Sequence, residues 1–296
     1  MTSVSFLGLG AIGAPMARHL ANPPFELAVW NRTREKAASF ADATGARLAG
    51  TPAEAARGAA FVLTCLPTSR DVEALLDGSD GLLAGFDRGA TLVDCTSGDP
   101  ATSRRIAARL AEHGVSFIDA PVSGGVAGAE RGTLTVMCGG EAAVFDRARV
   151  VLETFGEKIV HCGPVGAGHA LKAVNNALLA VQLWATGEGL ATLVRAGVKA
   201  SVALDVINAS SGRSNASQNL FPERVITREF PRTFRLALLD KDVGIAAGVA
   251  RDQRVPSPIL QLTSEMFRIA HGALGEEVDH VEAVRLIEEW AGVEIA

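Results

Sequence analysis

The sequence predicts an α/β protein in two parts, a doubly wound sheet over residues 1–163 followed by an all-helical domain over residues 164–296. Two observations support this prediction. Up to Gly163, short apolar runs alternate with helical stretches, which is typical of a parallel sheet with helices on its faces. Beyond Gly163 only long helical patterns occur, separated by glycines and prolines. The change of pattern therefore marks the domain boundary.

The first part contains eight candidate strands, which are short apolar runs rich in β-branched and aromatic residues. In chain order they are 4–8, 27–31, 47–49, 61–66, 91–95, 116–119, 133–140 and 158–163, and the pattern is weakest at 47–49. The second part contains six candidate helices with apolar residues at helical spacing. They are 168–195, 200–211, 214–228, 235–252, 256–274 and 279–290.

The composition is that of a globular chain and argues against several classes of protein. The net charge is −5, so no basic surface for nucleic acid is expected. The apolar run from Ala173 to Ala185 is interrupted by polar residues and is shorter than the ~20 residues of a membrane helix. The four cysteines lie far apart and the six histidines lack ligand spacing, so neither disulfides nor a metal site is expected. Because no signal peptide pattern is present, we expect a cytoplasmic protein without membrane partners.

The turn after the first strand carries a glycine motif. It reads Gly8-x-Gly10-x-x-Gly13, encloses Ala11 and Ile12, and lies directly between a strand and a helix. Such glycines allow a tight turn and a close approach of backbone N–H groups to a pyrophosphate, and the helix N-terminus favours the negative charge. The context therefore predicts a Rossmann-type domain that binds a dinucleotide.

The end of the second strand indicates which dinucleotide is bound. An acidic residue there usually holds a free ribose 2′-hydroxyl, but this chain has Asn31, Arg32 and Thr33 instead. A guanidinium bonds a 2′-phosphate, which a carboxylate would repel. The sequence therefore favours NADP(H) over NAD(H). The alternative is that Arg32 and Arg34 form an ordinary solvated helix start.

Two further loops are expected at the same edge of the sheet, where open α/β folds bind ligands. Leu66 and Pro67 follow the fourth strand, and Thr96 follows the fifth. Loops in these positions flank the ribose and the nicotinamide, so we expect these three residues to contact the cofactor.

Three polar groups are candidates for binding or chemistry. Ser123 precedes Gly124 and Gly125, which together offer a hydroxyl and unhindered backbone amides to a carboxylate, unless they form only a surface turn. An otherwise apolar helical pattern carries Lys172, with Asn175 and Asn176 three and four residues later on one face. Burying an ammonium costs free energy unless its hydrogen bonds are satisfied, so a lysine in this apolar pattern indicates a specific role for its side chain. The third group is the pair Lys241–Asp242, which alone reads equally as a solvated charge pair.

Together these segments resemble the 3-hydroxyacid dehydrogenase superfamily, and most closely the 3-hydroxyisobutyrate dehydrogenase family. The resemblance covers essentially the whole chain and rests on four motifs in the family's order: "FLGLGAIGAPMA", "DAPVSGG", "GPVGAGHALKAVNN" and "KD" at 241–242. The family pattern usually has Met where Ile12 stands, which is a volume-conserving change. The resemblance implies a dinucleotide-binding domain and a helical domain that closes the site and dimerises.

The resemblance also implies roles for individual residues. Lys172 matches the family's catalytic lysine and Asn176 its substrate-orienting asparagine. Residues 123–125 match its carboxylate-binding loop, Thr96 and Lys241 match cofactor contacts, and Asp242 matches a position that borders the active site. A lysine whose pKa is lowered by burial both takes the hydroxyl proton during hydride transfer and stabilises the developing oxyanion.

The expected function is thus the NADP(H)-dependent interconversion of a short 3-hydroxy acid, such as 3-hydroxyisobutyrate, and its semialdehyde. Alternatives within the superfamily are reductases of glyoxylate, succinic semialdehyde or tartronate semialdehyde, and an imine reductase. An imine reductase is disfavoured because those relatives often lack the lysine. A different class is a catalytically silent NADP(H) sensor, against which the lysine–asparagine pair argues. Strongly apolar helices in the second half further predict a homodimer or homotetramer.

Overall fold

The computed structural model describes all 296 residues and divides into two compact units, Met1–Lys172 and Ala173–Ala296. We refer to them as the nucleotide unit and the helical unit and describe each by itself. The predicted α/β class with a helical C-terminal part is confirmed.

The nucleotide unit is built on one sheet of nine strands. They are β1 (Thr2–Leu7), β2 (Phe25–Trp30), β3 (Arg47–Leu48), β4 (Phe61–Thr64), β5 (Thr91–Asp94), β6 (Ser116–Asp119), β7 (Val122–Ser123), β8 (Leu134–Gly139) and β9 (Gly156–Gly163). The first six are parallel in the order β3-β2-β1-β4-β5-β6. This is the doubly wound order, in which the connections reverse direction between β1 and β4, where such sheets bind ligands.

Both faces of this sheet are buried, which explains its continuous apolar strands. Alternate residues of each central strand enter different core clusters, for example Val62 one and Leu63 the other. The covering helices are α1 (Gly13–His19), α2 (Arg34–Thr44), α3 (Pro52–Ala56), α4 (Ser69–Ala74), α5 (Leu82–Gly85), α6 (Pro100–Glu112), α7 (Gly125–Arg131) and α8 (Ala142–Leu152). Side-chain caps begin several of them, such as Asp99, whose carboxylate accepts the Thr102 N–H at the start of α6.

The far edge of the sheet differs from the sequence prediction. The two-residue strand β7 was not predicted, because a short segment bounded by Pro121 and two glycines has no strand periodicity. It pairs antiparallel with β8, which also runs antiparallel to β6 and parallel to β9. The sheet is therefore mixed at this edge, and β7 directly precedes the glycines of the predicted carboxylate loop.

The helical unit begins within a long helix, α9 (Ala167–Arg195), which contains the boundary between the units. The others are α10 (Ala200–Asn208), a π-helical segment (Ala216–Val225), α11 (Leu236–Asp252), α12 (Pro258–Leu274), a 3₁₀ turn (His280–Ala283) and α13 (Val284–Ala291). The segment predicted as an ordinary helix over 214–228 is thus π-helical. Pro222 lies inside it, and Ile226 donates to the carbonyl of Phe221, five residues back.

The α9 helix is longer than the apolar run identified in the sequence. By length and composition alone it qualifies as a candidate membrane span, with a mean hydropathy of 1.4 in its most apolar window. The part of α9 that belongs to the helical unit nevertheless packs in the core of that unit, where Ala177, Ala180 and Leu183 are fully buried. Core helices of globular units have the same composition.

Candidate active site

The glycine turn after β1 leaves space at one position. Gly8 has φ +101°, and a Cβ there would overlap the carbonyl of Cys65, while a Cβ on Gly13 would overlap the carbonyl of Gly8. Packing within the unit therefore requires both glycines. A Cβ on the exposed Gly10 would meet nothing within 4 Å. Gly10 thus leaves backbone open to a ligand, and Ala11 beside it is also exposed, so the turn fits a dinucleotide pyrophosphate.

The end of β2 is tied to this turn. Asn31 accepts the backbone N–H of Leu9 through Oδ1 (2.9 Å) and donates through Nδ2 to the carbonyl of Thr33 (3.0 Å). Arg32 projects into solvent with 85% of its side chain exposed, and its Nη1 lies 3.9 Å from Oδ1 of Asp71. The Asn31 side chain thus holds the glycine loop through a hydrogen bond, and Arg32 is the exposed cation beside it. Sequence reasoning missed the Asp71 carboxylate, because it lies 39 residues further along the chain.

The loops after β4 and β5 are joined by a buried hydrogen-bond network. Leu66 donates its N–H to the hydroxyl of Thr96 (3.1 Å), whose own N–H donates to Oδ1 of Asp94 (3.1 Å). Thr64 also donates to that oxygen (2.9 Å). Pro67 then leads into α4. The two loops therefore lie side by side at one edge of the sheet, as expected from the sequence.

The predicted carboxylate loop spans the end of β7 and the start of α7. Ser123 is half-buried, whereas Gly124 and Gly125 are exposed. Gly124 has φ +135°, a conformation that L side chains rarely adopt. A Cβ on Gly125 would meet nothing within 4 Å, so its backbone is open to a ligand.

Asp119 fixes the first turn of α9 to the end of β6. Its carboxylate accepts the N–H of Gly166 (2.7 Å) and that of His169 (2.9 Å). Burial raises the pKa of Asp119, and the charge of His169 with these two N–H groups offsets the increase only in part. A Cβ on Gly139 or Gly168 would lie 2.6 and 2.9 Å from this carboxylate, so both glycines make room for it.

Lys172 lies one turn further along α9 and is the last residue of the nucleotide unit. Only 8% of it is exposed. Asn176, four residues later, is also buried, while Asn175 is exposed and donates through Nδ2 to Oδ1 of Asn176 (3.2 Å). The helix therefore places Lys172 and Asn176 one turn apart along one face, as the spacing predicted.

In the helical unit one carboxylate organises the remaining predicted residues. Asp242, which is 2% exposed, accepts a hydrogen bond from Nδ2 of Asn176 (2.6 Å) and pairs with Nζ of Lys241 (3.2 Å). The sequence reading of Lys241–Asp242 as a solvated pair does not hold for Asp242. No periodicity could show this bond, because its partners are 66 residues apart.

Known protein families match both parts of the chain. Two family models match in succession: one described as the NAD binding domain of 6-phosphogluconate dehydrogenase, over residues 3–163, and one described as NAD-binding of NADP-dependent 3-hydroxyisobutyrate dehydrogenase, over residues 166–287. The solved structure of Mycobacterium tuberculosis 3-hydroxyisobutyrate dehydrogenase with L-serine has a TM-score of 0.89 and 31% identity, covering 97% of this chain and 99% of that one.

Three relatives are similar over nearly their whole length. The 2-(hydroxymethyl)glutarate dehydrogenase of Eubacterium barkeri is 33% identical over 99% of this chain and 97% of its own. From Pseudomonas aeruginosa, an NAD-dependent L-serine dehydrogenase is 36% identical and a 3-hydroxyisobutyrate dehydrogenase 37% identical, each over 91% of this chain and 92% of its own.

The fold and these matches define an NAD(P)-dependent dehydrogenase that acts on a CH–OH group. The chain belongs to the 3-hydroxyacid dehydrogenase superfamily and lies close to its 3-hydroxyisobutyrate dehydrogenases.

Proposed function

We propose that this enzyme uses NADP(H) to interconvert a short 3-hydroxy acid and its semialdehyde, with Lys172 as the proton-transfer group. The observation that supports this most strongly is the burial of Lys172, a residue only 8% exposed, on a helix whose first turn is fixed to the end of β6. Residues 1–163 bind the dinucleotide in this proposal, and residues 164–296 complete the substrate site and form the subunit interface.

The names of the relatives indicate a common substrate type. 3-Hydroxyisobutyrate, L-serine and 2-(hydroxymethyl)glutarate all carry a hydroxymethyl group on the carbon next to the carboxylate. They differ in the third substituent, which is a methyl, an ammonium or a carboxyethyl group. We extend the shared part, HOCH₂–CHR–COO⁻, to this chain and prefer a small R as in 3-hydroxyisobutyrate.

Two groups of residues fit this substrate in the proposal. Ser123 and the open backbone of Gly124 and Gly125 bind the carboxylate, with a hydroxyl and N–H donors. Asn176 holds the reacting oxygen, and Asp242 and Asn175 fix the orientation of its amide, because Asp242 accepts from Nδ2 while Asn175 donates to Oδ1.

The reaction removes a hydride and a proton from the alcohol. When bound, NADP⁺ supplies the hydride acceptor. Lys172 takes the hydroxyl proton at Nζ, and in the reverse direction it returns that proton to the forming alkoxide, whose charge the ammonium stabilises. Asn176, one turn along the same helix, keeps the oxygen in line with Nζ.

Cofactor contacts are proposed along the edge of the nucleotide sheet. The turn formed by Gly8, Gly10, Ala11, Ile12 and Gly13 holds the pyrophosphate. Residues Leu66, Pro67, Thr96 and Lys241 complete the binding of the ribose and nicotinamide. Asn31, Arg32 and Thr33 select the 2′-phosphate, which a guanidinium with 85% exposure reaches freely. One relative is NAD-dependent, so the preference for NADP(H) rests on Arg32.

Reductases of other semialdehydes are the alternatives. Tartronate semialdehyde has the same carbon skeleton with R as a hydroxyl, so it belongs to the proposed class. Glyoxylate and succinic semialdehyde place the carboxylate one carbon nearer to or further from the aldehyde, so a rigid carboxylate loop discriminates against them. An imine reductase would not need Lys172 to take a hydroxyl proton.

We further propose a cytoplasmic homodimer or homotetramer joined through the helical unit. Exposed apolar side chains support this interface: Val202, Val206, Ile259, Leu262 and Ile269, with 42–61% exposure. The four free cysteines suit a reducing compartment. Light scattering at micromolar concentration should show a multiple of 30.7 kDa, and a uniform monomer would contradict the proposal.

Single-turnover hydride transfer in Lys172 variants tests the proposed chemistry. Lys172→Ala should bind NADP(H) normally yet lose about 10²–10⁴-fold in rate, as expected for a positioned proton-transfer group. Lys172→Arg should rescue little, because a guanidinium keeps its charge but does not release a proton near neutral pH. If arginine restores turnover and alanine mainly lowers the melting temperature, Lys172 is structural and the proposal is wrong.

A further inference from the structure

A fully buried imidazole lies three residues before Lys172. His169 belongs to the first turn of α9 and has 0% exposure. Its Nδ1 is 2.7 Å from the hydroxyl of Ser103 on α6, and its backbone N–H donates to Asp119 at the end of β6. In the sequence it is a histidine at the start of a helical pattern, three residues before the candidate lysine. In the structure it connects α9 to two other elements of the nucleotide unit.

The same ring packs against the loop that follows β5. A Cβ on Gly98 would lie 2.7 Å from Cε1 and 2.9 Å from Nδ1 of His169, so the loop backbone rests directly on the imidazole. This is the loop of Thr96, a proposed cofactor contact, and its Asp99 carbonyl is within 3.0 Å of the Ser103 hydroxyl. The imidazole is thus the packing element between the loop at 96–99 and the turn that leads to Lys172.

The second ring nitrogen faces a carboxylate. His169 Nε2 lies 3.9 Å from Oδ2 of Asp94, and both residues are completely buried. Neither atom has a hydrogen-bond partner, while the other Asp94 oxygen accepts from Thr64 and Thr96. The ring orientation is therefore set by the Ser103 hydroxyl at Nδ1 and by the packing of the Gly98 backbone, while the Asp94 carboxylate lies near Nε2 without a hydrogen bond to it.

We propose that His169 is a positioning residue for Lys172. By joining the loop after β5 and the helix α6 to the first turn of α9, the imidazole fixes where that helix holds the lysine relative to the proposed cofactor loop. The inference rests on the catalytic role proposed for Lys172. It assigns to the nucleotide unit, rather than to the helical unit, the task of placing the proton-transfer group.

Three variants separate the contacts of the ring. His169→Ala removes both nitrogens, His169→Asn keeps an amide near the position of Nδ1, and Ser103→Ala removes only the hydroxyl. Because a displacement of about 1 Å costs up to 10²-fold in rate, His169→Ala should slow single-turnover hydride transfer by about 10–100-fold at saturating cofactor and substrate. Asparagine should recover part of this loss. Ser103→Ala should cost less, and nothing further in the His169→Ala background, because both act through one contact.

A matched control is available in the helical unit. His280 is 4% exposed and its Nε2 also lacks a partner, so His280→Asn should lower the melting temperature without changing the hydride-transfer rate. If the His169 variants behave like this control, losing stability at an unchanged rate, the positioning role is refuted. Should His169→Ala not fold, the milder Ser103→Ala and His169→Asn variants decide by the same criterion.

Lys172→Ala, measured in parallel, separates the two proposals. A fast Lys172→Ala enzyme refutes the proposed function and this inference with it. A slow Lys172→Ala enzyme combined with fast His169 variants refutes this inference alone.

Discussion

Asp119 in the nucleotide unit and Asp242 in the helical unit are both buried and both bind part of α9, but they do so in different ways. Asp119 accepts two backbone N–H groups, those of Gly166 and His169, and so fixes the start of a helix. Asp242 binds two side chains, the Asn176 amide and the Lys241 ammonium. A substitution of Asp119 should therefore displace the first turn of α9 together with the side chains on it. A substitution of Asp242 should release only the side chains of Asn176 and Lys241.

This difference predicts which single substitutions should impair catalysis most. In the nucleotide unit the lysine is placed by main-chain anchoring and by the buried His169, so its position is shared among several contacts. In the helical unit the orientation of Asn176 depends on one carboxylate with one amide neighbour. Single substitutions at Asp242 should therefore be more costly for catalysis than single substitutions elsewhere around the helical part of the site.

Among the changes that follow from this comparison, Asp242→Ala should have the largest effect. Without the carboxylate the Asn176 amide loses its orientation and Lys241 loses its buried partner, so hydride transfer should fall by about 100-fold. The nearby Asp240→Ala is the control, because its carboxylate lies on the same helix and bonds His271 instead. Stopped-flow measurement of NADPH absorbance gives both rates. Equal rates for the two variants would remove Asp242 from the site.

A smaller effect, confined to cofactor binding, is expected at the tip of β2. A charge-assisted contact contributes roughly 1.5–3 kcal/mol, so Arg32→Ala should weaken NADP(H) binding by about one to two orders of magnitude. NAD(H) affinity should hardly change. Arg34→Ala, the next arginine and also exposed, is the control and should leave both affinities near the wild-type values. Titration calorimetry measures the affinities of both variants for both cofactors. Equal losses of NADP(H) and NAD(H) affinity in Arg32→Ala would contradict the role of Arg32 in cofactor selection.

The smallest effect concerns stability in acid and contrasts two buried carboxylates. Burial raises the pKa of Asp279 in the helical unit, but the hydrogen bond and charge of His280 and the N–H groups of Phe234 and Thr233 outweigh it and hold the pKa well below its usual 3.8. Its stabilising contribution is therefore present above pH 3.8 and is lost as the pH falls below that value. The raised pKa of Asp119 acts in the opposite sense, since its contribution decreases as the pH rises from 3.8 through the raised value.

Acid should accordingly unfold the helical unit before the nucleotide unit. Hydrogen exchange, monitored by mass spectrometry between pH 6 and pH 3, reports the unfolding of each unit separately. Asp279→Asn should flatten the acid dependence of the helical unit while lowering its stability at neutral pH by about 1–3 kcal/mol, the usual cost of a charged hydrogen-bond partner. An acid dependence unchanged by this variant would show that other carboxylates dominate.

Much of the fold was predictable because its signals are local. The glycine turn, the alternation of strands and helices and the strand ends at Leu66 and Thr96 all lie within short stretches of sequence, and the structure forms each of them. The spacing of Lys172 and Asn176 needed only helical periodicity. The π-helical segment around Pro222 and the two-residue β7 escaped prediction because neither has a periodic pattern.

The long-range polar contacts were not predictable. Asp94, Asp119 and His169 appear in the sequence as two strand-end acids and a helix-start histidine, and nothing local links them. They come together because the parallel register of β5 and β6 places Asp94 opposite Asp119, and because the first turn of α9 packs against the end of β6. The hydrogen bond from the Leu9 N–H to the Asn31 side chain was not predictable either, because the two residues are 22 positions apart in the chain.

A substrate panel tests the central claim, that this enzyme oxidises HOCH₂–CHR–COO⁻ with NADP⁺, most directly. The panel contains 3-hydroxyisobutyrate, L-serine, glycerate and 2-(hydroxymethyl)glutarate, together with the methyl ester of 3-hydroxyisobutyrate, 4-hydroxybutyrate, glycolate and a cyclic imine assayed with NADPH. The account predicts the highest kcat/KM for a member of the first four. It also predicts that the uncharged methyl ester is turned over at least about 100-fold less efficiently than 3-hydroxyisobutyrate itself, since a charged hydrogen-bonding group is then lost. Equal turnover of acid and ester, or preferred turnover of glycolate, 4-hydroxybutyrate or the imine, would contradict it.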